Sequence, residues 1–255
     1  MGTADSWPHL RTHTAARIAL GRAGASLPTT PLLDFKLAHA RAKDAVLTHF
    51  DPELLAAQLR PLDPGLLIVE SEAQDRATYL QRPDYGRRLS AESAEMLSSR
   101  AAMPGPDLVI LVSDGLSTTA VMTQALPVLA ALLPMFREAG WTLAPLLVVK
   151  HGRVAIQDQA GALLHARLSL ILLGERPGLG SPDSLGAYFT YNPVPGRSDA
   201  ERNCVSNIRP QGLEPALAAR KLFHLLSASR HLKLSGVNLK DDEPLLGGGA
   251  VPGLT

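Results

Sequence analysis

Asp114, Arg153, Glu175 and Arg176 are the charged members of three short glycine-containing stretches: Ser113-Asp-Gly-Leu-Ser117, His151-Gly-Arg-Val154 and Gly174-Glu-Arg-Pro-Gly-Leu-Gly180. Each stretch sets a charged side chain beside backbone N–H groups that small neighbours leave approachable. That is equipment for holding amides, carboxylates or phosphates. The first stretch opens into helical text with Ser117 or Asp114 as a possible cap, so its N–H groups could receive an anion or an amide oxygen. A further cluster, Tyr79-Leu-Gln-Arg82-Pro-Asp84-Tyr-Gly86-Arg87-Arg88, places three arginines and an aspartate just ahead of a helix. It reads either as a solvated turn, whose Arg82–Asp84 pair carries little energy, or as an arginine- and tyrosine-anchored contact with another chain.

Templates for self-sufficient catalysis fail. The sequence contains no Gly-x-x-x-x-Gly-Lys phosphate loop, no Gly-x-Gly-x-x-Gly fingerprint and no Gly-x-Ser-x-Gly elbow. It also lacks a His-Glu-x-x-His run and paired cysteines for a metal. The eight histidines are scattered, and Cys204 is the only thiol; a lone cysteine is more often simply packed than reactive. The chemistry of the residues favours a binding or interface chain.

Four apolar runs must position these loops: Leu66–Glu70, Asp107–Ser113, Ala144–Lys150 and Leu168–Gly174, with a fifth strand expected at Ala187–Tyr191. The four are apolar throughout rather than alternating, as strands covered on both faces are. Helical text separates them at Ser90–Arg100, Ser117–Ala139 and Ile156–Ala166, and a last helix is expected at Leu213–Ser227. This alternation predicts an α/β fold with a doubly wound, mainly parallel sheet. Right-handed crossovers then bring the three loops to one rim, beyond the carboxyl ends of the strands, where such sheets bind ligands.

Ahead of the sheet, residues 14–60 read as a helical N-terminal arm. Helical text starts at Thr14, and a second helix is capped by Thr30-Pro31. Residues 1–13 read as a flexible lead-in, 61–240 as the main domain and 241–255, with Gly247-Gly-Gly249, as a flexible tail.

The 255 residues carry 25 Lys+Arg against 24 Asp+Glu, a formal net charge of +1. That balance argues against a nucleic-acid partner, which would call for a gathered basic excess. One cysteine allows no intrachain disulfide and suits a reducing compartment. The start has no secretory pattern. The longest apolar run, Leu126–Phe136, is interrupted by Pro127 and Pro134 and is too short to span a bilayer. A soluble cytoplasmic protein with no membrane partner is expected.

Seven segments resemble, in order, the small subunit of ethanolamine ammonia-lyase. They are Ala16-Arg-Ile with Gly21-Arg-Ala-Gly24, Leu80–Leu89, Val112-Ser-Asp-Gly-Leu-Ser-Thr118, Gly152-Arg-Val, Gly174–Gly180, Cys204-Val-Ser-Asn-Ile208 and Ser235-Gly-Val-Asn238. The likeness covers roughly Thr14 to Leu239. It implies a Rossmann-like domain over 61–240 that serves as the non-catalytic subunit of a heteromeric, adenosylcobalamin-dependent lyase converting ethanolamine to acetaldehyde and ammonia. It further implies an obligate large subunit that binds ethanolamine and carries the radical face of the cofactor, within a higher-order hetero-oligomer.

Carried over by motif, the cobalamin contacts fall on Val154, Glu175 and Cys204, and the cofactor is shared with the large subunit. Arg153 and Asp114 are added as rim neighbours. The sequence has no Asp-x-His-x-x-Gly run to supply a replacement base for cobalt, so base-on binding is expected. It also reaches family-like text almost at once, without the long N-terminal extension that some members use to enter a bacterial microcompartment. Free cytoplasm is therefore the expected location. A different class stays open: a stand-alone cofactor- or nucleotide-binding α/β module with a regulatory role. A self-contained hydrolase built on Cys204 or Asp114 is a weaker third option.

Overall fold

The computed structural model describes residues 7–14 and 16–241. The expected flexibility of residues 1–6 and 242–255 lies outside the described residues. Six strands form one sheet in the order β1-β3-β2-β4-β5-β6. They are β1 (Leu67–Glu70), β2 (Leu108–Ser113), β3 (Leu147–Lys150), β4 (Leu168–Gly174), β5 (Leu185–Tyr191) and β6 (Asn203–Ile208). The first four pair in parallel, whereas β5 pairs antiparallel to both β4 and β6. The fold is therefore α/β with a mixed, mostly parallel, Rossmann-like sheet preceded by helices.

The long apolar runs became the central strands for the reason read from sequence. Every residue of β2 and of β4 is buried. One face packs against α2 (Pro52–Leu59), α5 (Thr118–Glu138) and α7 (Pro215–Leu232), through Leu55, Leu129, Leu132 and Leu222. The other packs against α4 (Ala91–Ser98) and α6 (Ile156–Leu163), through Leu97, Ile156 and Ala160. Burying a leucine stabilises by about 1.5–3 kcal/mol, so these two cores are what hold the sheet between its helical layers.

Several expectations need correction. Thr14–Arg22 is not helical over its described residues; a 3-10 helix instead occupies Pro8–Thr12 within the expected lead-in. The first long helix, α1, runs Thr29–Leu47, with Pro28 rather than Thr30 at its cap. It buries only Ala38 and Ala45, whereas α2 sinks Leu55, Ala56 and Leu59 into the core. Pro127 and Pro134 do not interrupt α5. Seven residues apart, they fall on one exposed side of the helix, where the lost hydrogen bonds face water. The helix is long and apolar enough to cross a membrane, but half of its apolar window is buried inside the fold.

Candidate functional site

The loops after β2 and β4 touch at their backbones. Leu116 N donates to the Gly174 carbonyl at 2.8 Å. Gly174 has no room for a side chain: a Cβ there would stand 2.1 Å from the Ser117 carbonyl oxygen and 2.4 Å from that of Asp114. The turn between them is tightened by Gly115, in the left-handed region at φ 55°. Ser117 caps α5 through Ala120 N and ties the loop to Pro182 by donating to its carbonyl at 2.7 Å.

The loop after β3 joins the same rim through Asp114. His151 N donates to Asp114 Oδ1 at 2.8 Å, and His151 Nδ1 lies 3.1 Å from Oδ2. Arg76, from the start of α3 (Arg76–Gln81), donates to Oδ2 at 2.8 Å and to the Gly115 carbonyl at 2.7 Å. Its Nε reaches back to the Val46 carbonyl near the end of α1. Asp114 is wholly buried. The three expected loops do share one rim, and Asp114 lies beneath it rather than on its surface, its carboxylate tying the loop after β3 and Arg76 to the loop after β2, while the loop after β4 is joined through the backbone of Leu116.

Above this node lies an open hollow of about 670 Å³, with Val154, Glu175, Arg153, Leu173, Tyr188 and Arg197 among its walls. Arg153 lies over the Tyr79 ring, 4.4 Å from its centroid, and donates to the Tyr79 carbonyl at 2.8 Å. Tyr79 OH donates to the Gly152 carbonyl at 3.2 Å; burial first, and then the Asp114 charge, hold that phenol protonated. Glu175 is held by Ser184 Oγ at 2.5 Å and by Asn207 N at 3.3 Å, both donating to Oε2. Gly186 makes room for this carboxylate: a Cβ there would stand 2.9 Å from Glu175 Oε1.

The hollow continues from the strand ends onto the face of β5 and β6 that α7 does not cover. Tyr188 pairs with Ile171 on one side and Cys204 on the other, and directly opposed residues share a face. Cys204 is exposed there, next to Tyr188 rather than within the hollow. Its thiol pKa is pushed up by the protein packed behind it, with the Glu175 charge adding to the rise and the Tyr188 hydrogen bond opposing it.

Across from Tyr188, the loop 192–202 supplies Arg197, Ser198 and Asp199. Arg202 anchors it, with two 2.6 Å bonds from its guanidinium to Asp158 on α6. A capping box joins Ser198 and Glu201. This wall was missed from sequence, although Ser198-x-x-Glu201 carried the capping signature. The Arg82–Asp84 pair is bidentate and lies on the outer surface, with both side chains about half exposed; Arg87 of the same cluster reaches the hollow.

A mixed, mostly parallel α/β sheet with an open, half-polar hollow at its strand ends makes this a Rossmann-like α/β protein; no group of His, Cys, Asp and Glu that could hold a metal ion occurs among the described residues. The sequence profile of the ethanolamine ammonia-lyase light chain (EutC) family matches residues 4–240. Three relatives are each described as an ethanolamine ammonia-lyase small subunit. One from Azotobacter vinelandii is 52% identical over 98% of this chain and 95% of its own length. One from Xanthomonas campestris pv. campestris is 53% identical over 95% and 91%, and one from Pseudomonas fluorescens is 52% identical over 93% and 87%. The chain belongs to the ethanolamine ammonia-lyase light-chain family, the non-catalytic component of that lyase.

Proposed function

We propose that this chain is the obligate small subunit of a cytoplasmic, adenosylcobalamin-dependent ethanolamine ammonia-lyase and forms part of the cobalamin site where it meets the large subunit. The observation that carries the reading is the hollow shared by Val154 and Glu175, with Cys204 beside it on the same sheet face. A corrin is a broad apolar plate fringed with amides. The walls suit it: Val154, Leu116 and Leu173 offer apolar contact, while Glu175 and Arg153 offer an acceptor and a donor. The hollow is open, so a group wider than it extends outward to a second chain.

Bound adenosylcobalamin supplies the radical chemistry that turns ethanolamine into acetaldehyde and ammonia. This chain's residues hold and orient it. Glu175 Oε2 is occupied by Ser184 and Asn207, leaving Oε1 to accept an amide N–H. Val154 would offer its side chain and backbone to the cofactor, and Cys204 a small polarizable surface. Arg153 keeps the wall in place by stacking on Tyr79, and Asp114 ties the loop after β3 to the loop after β2. Among the described residues lining the hollow none is a histidine, so this chain would offer the cofactor no replacement for its own base.

The test is co-purification with the large subunit, followed by an absorption spectrum and a coupled acetaldehyde assay. The complex is expected to be active, and this chain alone inactive. Glu175→Ala in the complex should raise the Kd for adenosylcobalamin about tenfold, the loss of roughly one charge-assisted hydrogen bond, and leave the ethanolamine KM unchanged. Deamination by this chain alone would refute the division of labour, and an unaltered Kd would remove Glu175 from the site.

A further inference from the structure

A second cleft lies at the opposite end of the sheet, where β2 begins. It has a volume of about 540 Å³, and its lining includes Arg100, Arg167 and Arg230 together with the apolar Pro106, Leu143 and Leu164. That volume lies within the range of small-molecule sites. Its charges are unbalanced, since Asp107 is the one carboxylate among the lining residues.

Asp107 is already committed. Its Oδ2 accepts from Thr142 N and Thr142 Oγ1, both at 3.0 Å. Its Oδ1 is shared by Arg167 and Arg230, each at 3.2 Å, longer than a well-formed charge-assisted bond. Two forked guanidiniums, each with five N–H donors, thus divide one oxygen. Arg100 has no side-chain partner among the described residues. Arg230 is held in place from behind by the buried Trp141, 4.6 Å from its ring centroid. Gly105 packs directly on the His165 backbone, where a Cβ would meet the carbonyl oxygen at 2.0 Å.

From this we infer that the cleft is a binding site for a small organic carboxylate with an apolar body, its anionic end held between Arg167 and Arg230 and its body against Pro106, Leu143 and Leu164. The carboxylate supplies the planar two-oxygen acceptor that a pair of guanidiniums matches. The apolar wall distinguishes such a ligand from an inorganic anion. This site is separate from the cobalamin hollow, and its test does not depend on that reading.

The sequence has two tryptophans, so Trp7→Phe in the full-length chain leaves Trp141, in contact with Arg230, as the only tryptophan, read by selective indole excitation. Titration with 4-phenylbutyrate should change its emission saturably, and the neutral 4-phenylbutanamide and inorganic phosphate should each bind at least tenfold more weakly. Arg167→Gln alters a side chain that is 59% exposed, so the fold is retained; it should weaken phenylbutyrate at least tenfold by calorimetry while leaving the thermal midpoint in place. The site is refuted by a non-saturating titration or by equal binding of the amide. Phosphate binding as tightly as phenylbutyrate, or an unchanged Kd in Arg167→Gln, refutes it equally.

Discussion

Nη1 of Arg76 donates to Asp114 Oδ2 at 2.8 Å, and the aspartate it neutralises is closed off from solvent. The two residues lie 38 positions apart, and the same arginine holds the Val46 carbonyl at the end of α1. One ion pair thus joins the N-terminal helix to the loops after β1, β2 and β3. Asp114→Ala leaves Arg76 and the His151 backbone without their shared acceptor. Breaking one side of a buried pair costs about 3–5 kcal/mol, so the urea midpoint should fall by that equivalent. An undiminished midpoint would show the node to be dispensable.

Gly174 separates a steric requirement from a chemical one. Gly174→Ala would force its Cβ against the Ser117 and Asp114 carbonyls, prising apart the loops after β2 and β4. Overpacking of this kind costs about 1–3 kcal/mol, and weakened cobalamin retention by the complex should accompany it. Gly180→Ala, six residues on, meets nothing within 4 Å and should alter stability by less than about 0.5 kcal/mol. Thermal melts of both variants check the contrast.

Cys204 is exposed, yet its thiol is held above the ordinary range. The thiolate is the reactive form. Iodoacetamide should therefore modify the free chain slowly at pH 7, and faster as the pH is raised past that of a simple thiol. Adenosylcobalamin bound in the complex should protect it. Equal alkylation rates with and without cofactor would separate Cys204 from the site.

Acid should loosen the wall opposite Tyr188. Glu201 is held at a pKa of about 2 by Ser198 N, by Arg197 and by the Ser198 hydroxyl, against an ordinary 4.5. A depressed carboxylate contributes stability above its unfolded pKa and loses it as pH falls toward the folded one. The contribution is therefore intact above about pH 4.5 and gone near pH 2. Glu201→Gln should flatten this part of the acid limb when melts are compared between pH 6 and pH 3. Parallel acid limbs for the two proteins would dismiss the assignment.

What the sequence disclosed follows from how each element is stabilised. β2 and β4 are buried on both faces, so their burial is written as unbroken apolar text. β6 is only partly buried, with Val205 and Ile208 inward and Cys204, Ser206 and Asn207 outward, and so short a polar-looking run, without regular alternation, carried no comparable signal. The reversal of β5 was hidden too, although the stretch between β4 and β5 is short for a crossover helix. Thr14–Arg22 has helix-forming residues but little to pack against, and propensity alone does not sustain a short helix. Glu175, Val154 and Arg153 were legible as loop residues beyond strand ends. Burial of Asp114 was not, because its partner Arg76 comes from a distant segment. Tyr188 and loop 192–202 escaped because their place depends on strand pairing, and the capping signature at Ser198 and Glu201 says nothing of which wall the loop forms.

The antiparallel return at β5 has one further effect. A parallel successor to β4 would need a connecting helix laid across one side of the sheet, and on this side such a helix would roof over Tyr188 and Cys204. The hairpin through 175–184 makes the same turn while leaving that ground bare, so lengthening it into a helical insert should evict whatever rests there even with every lining side chain intact.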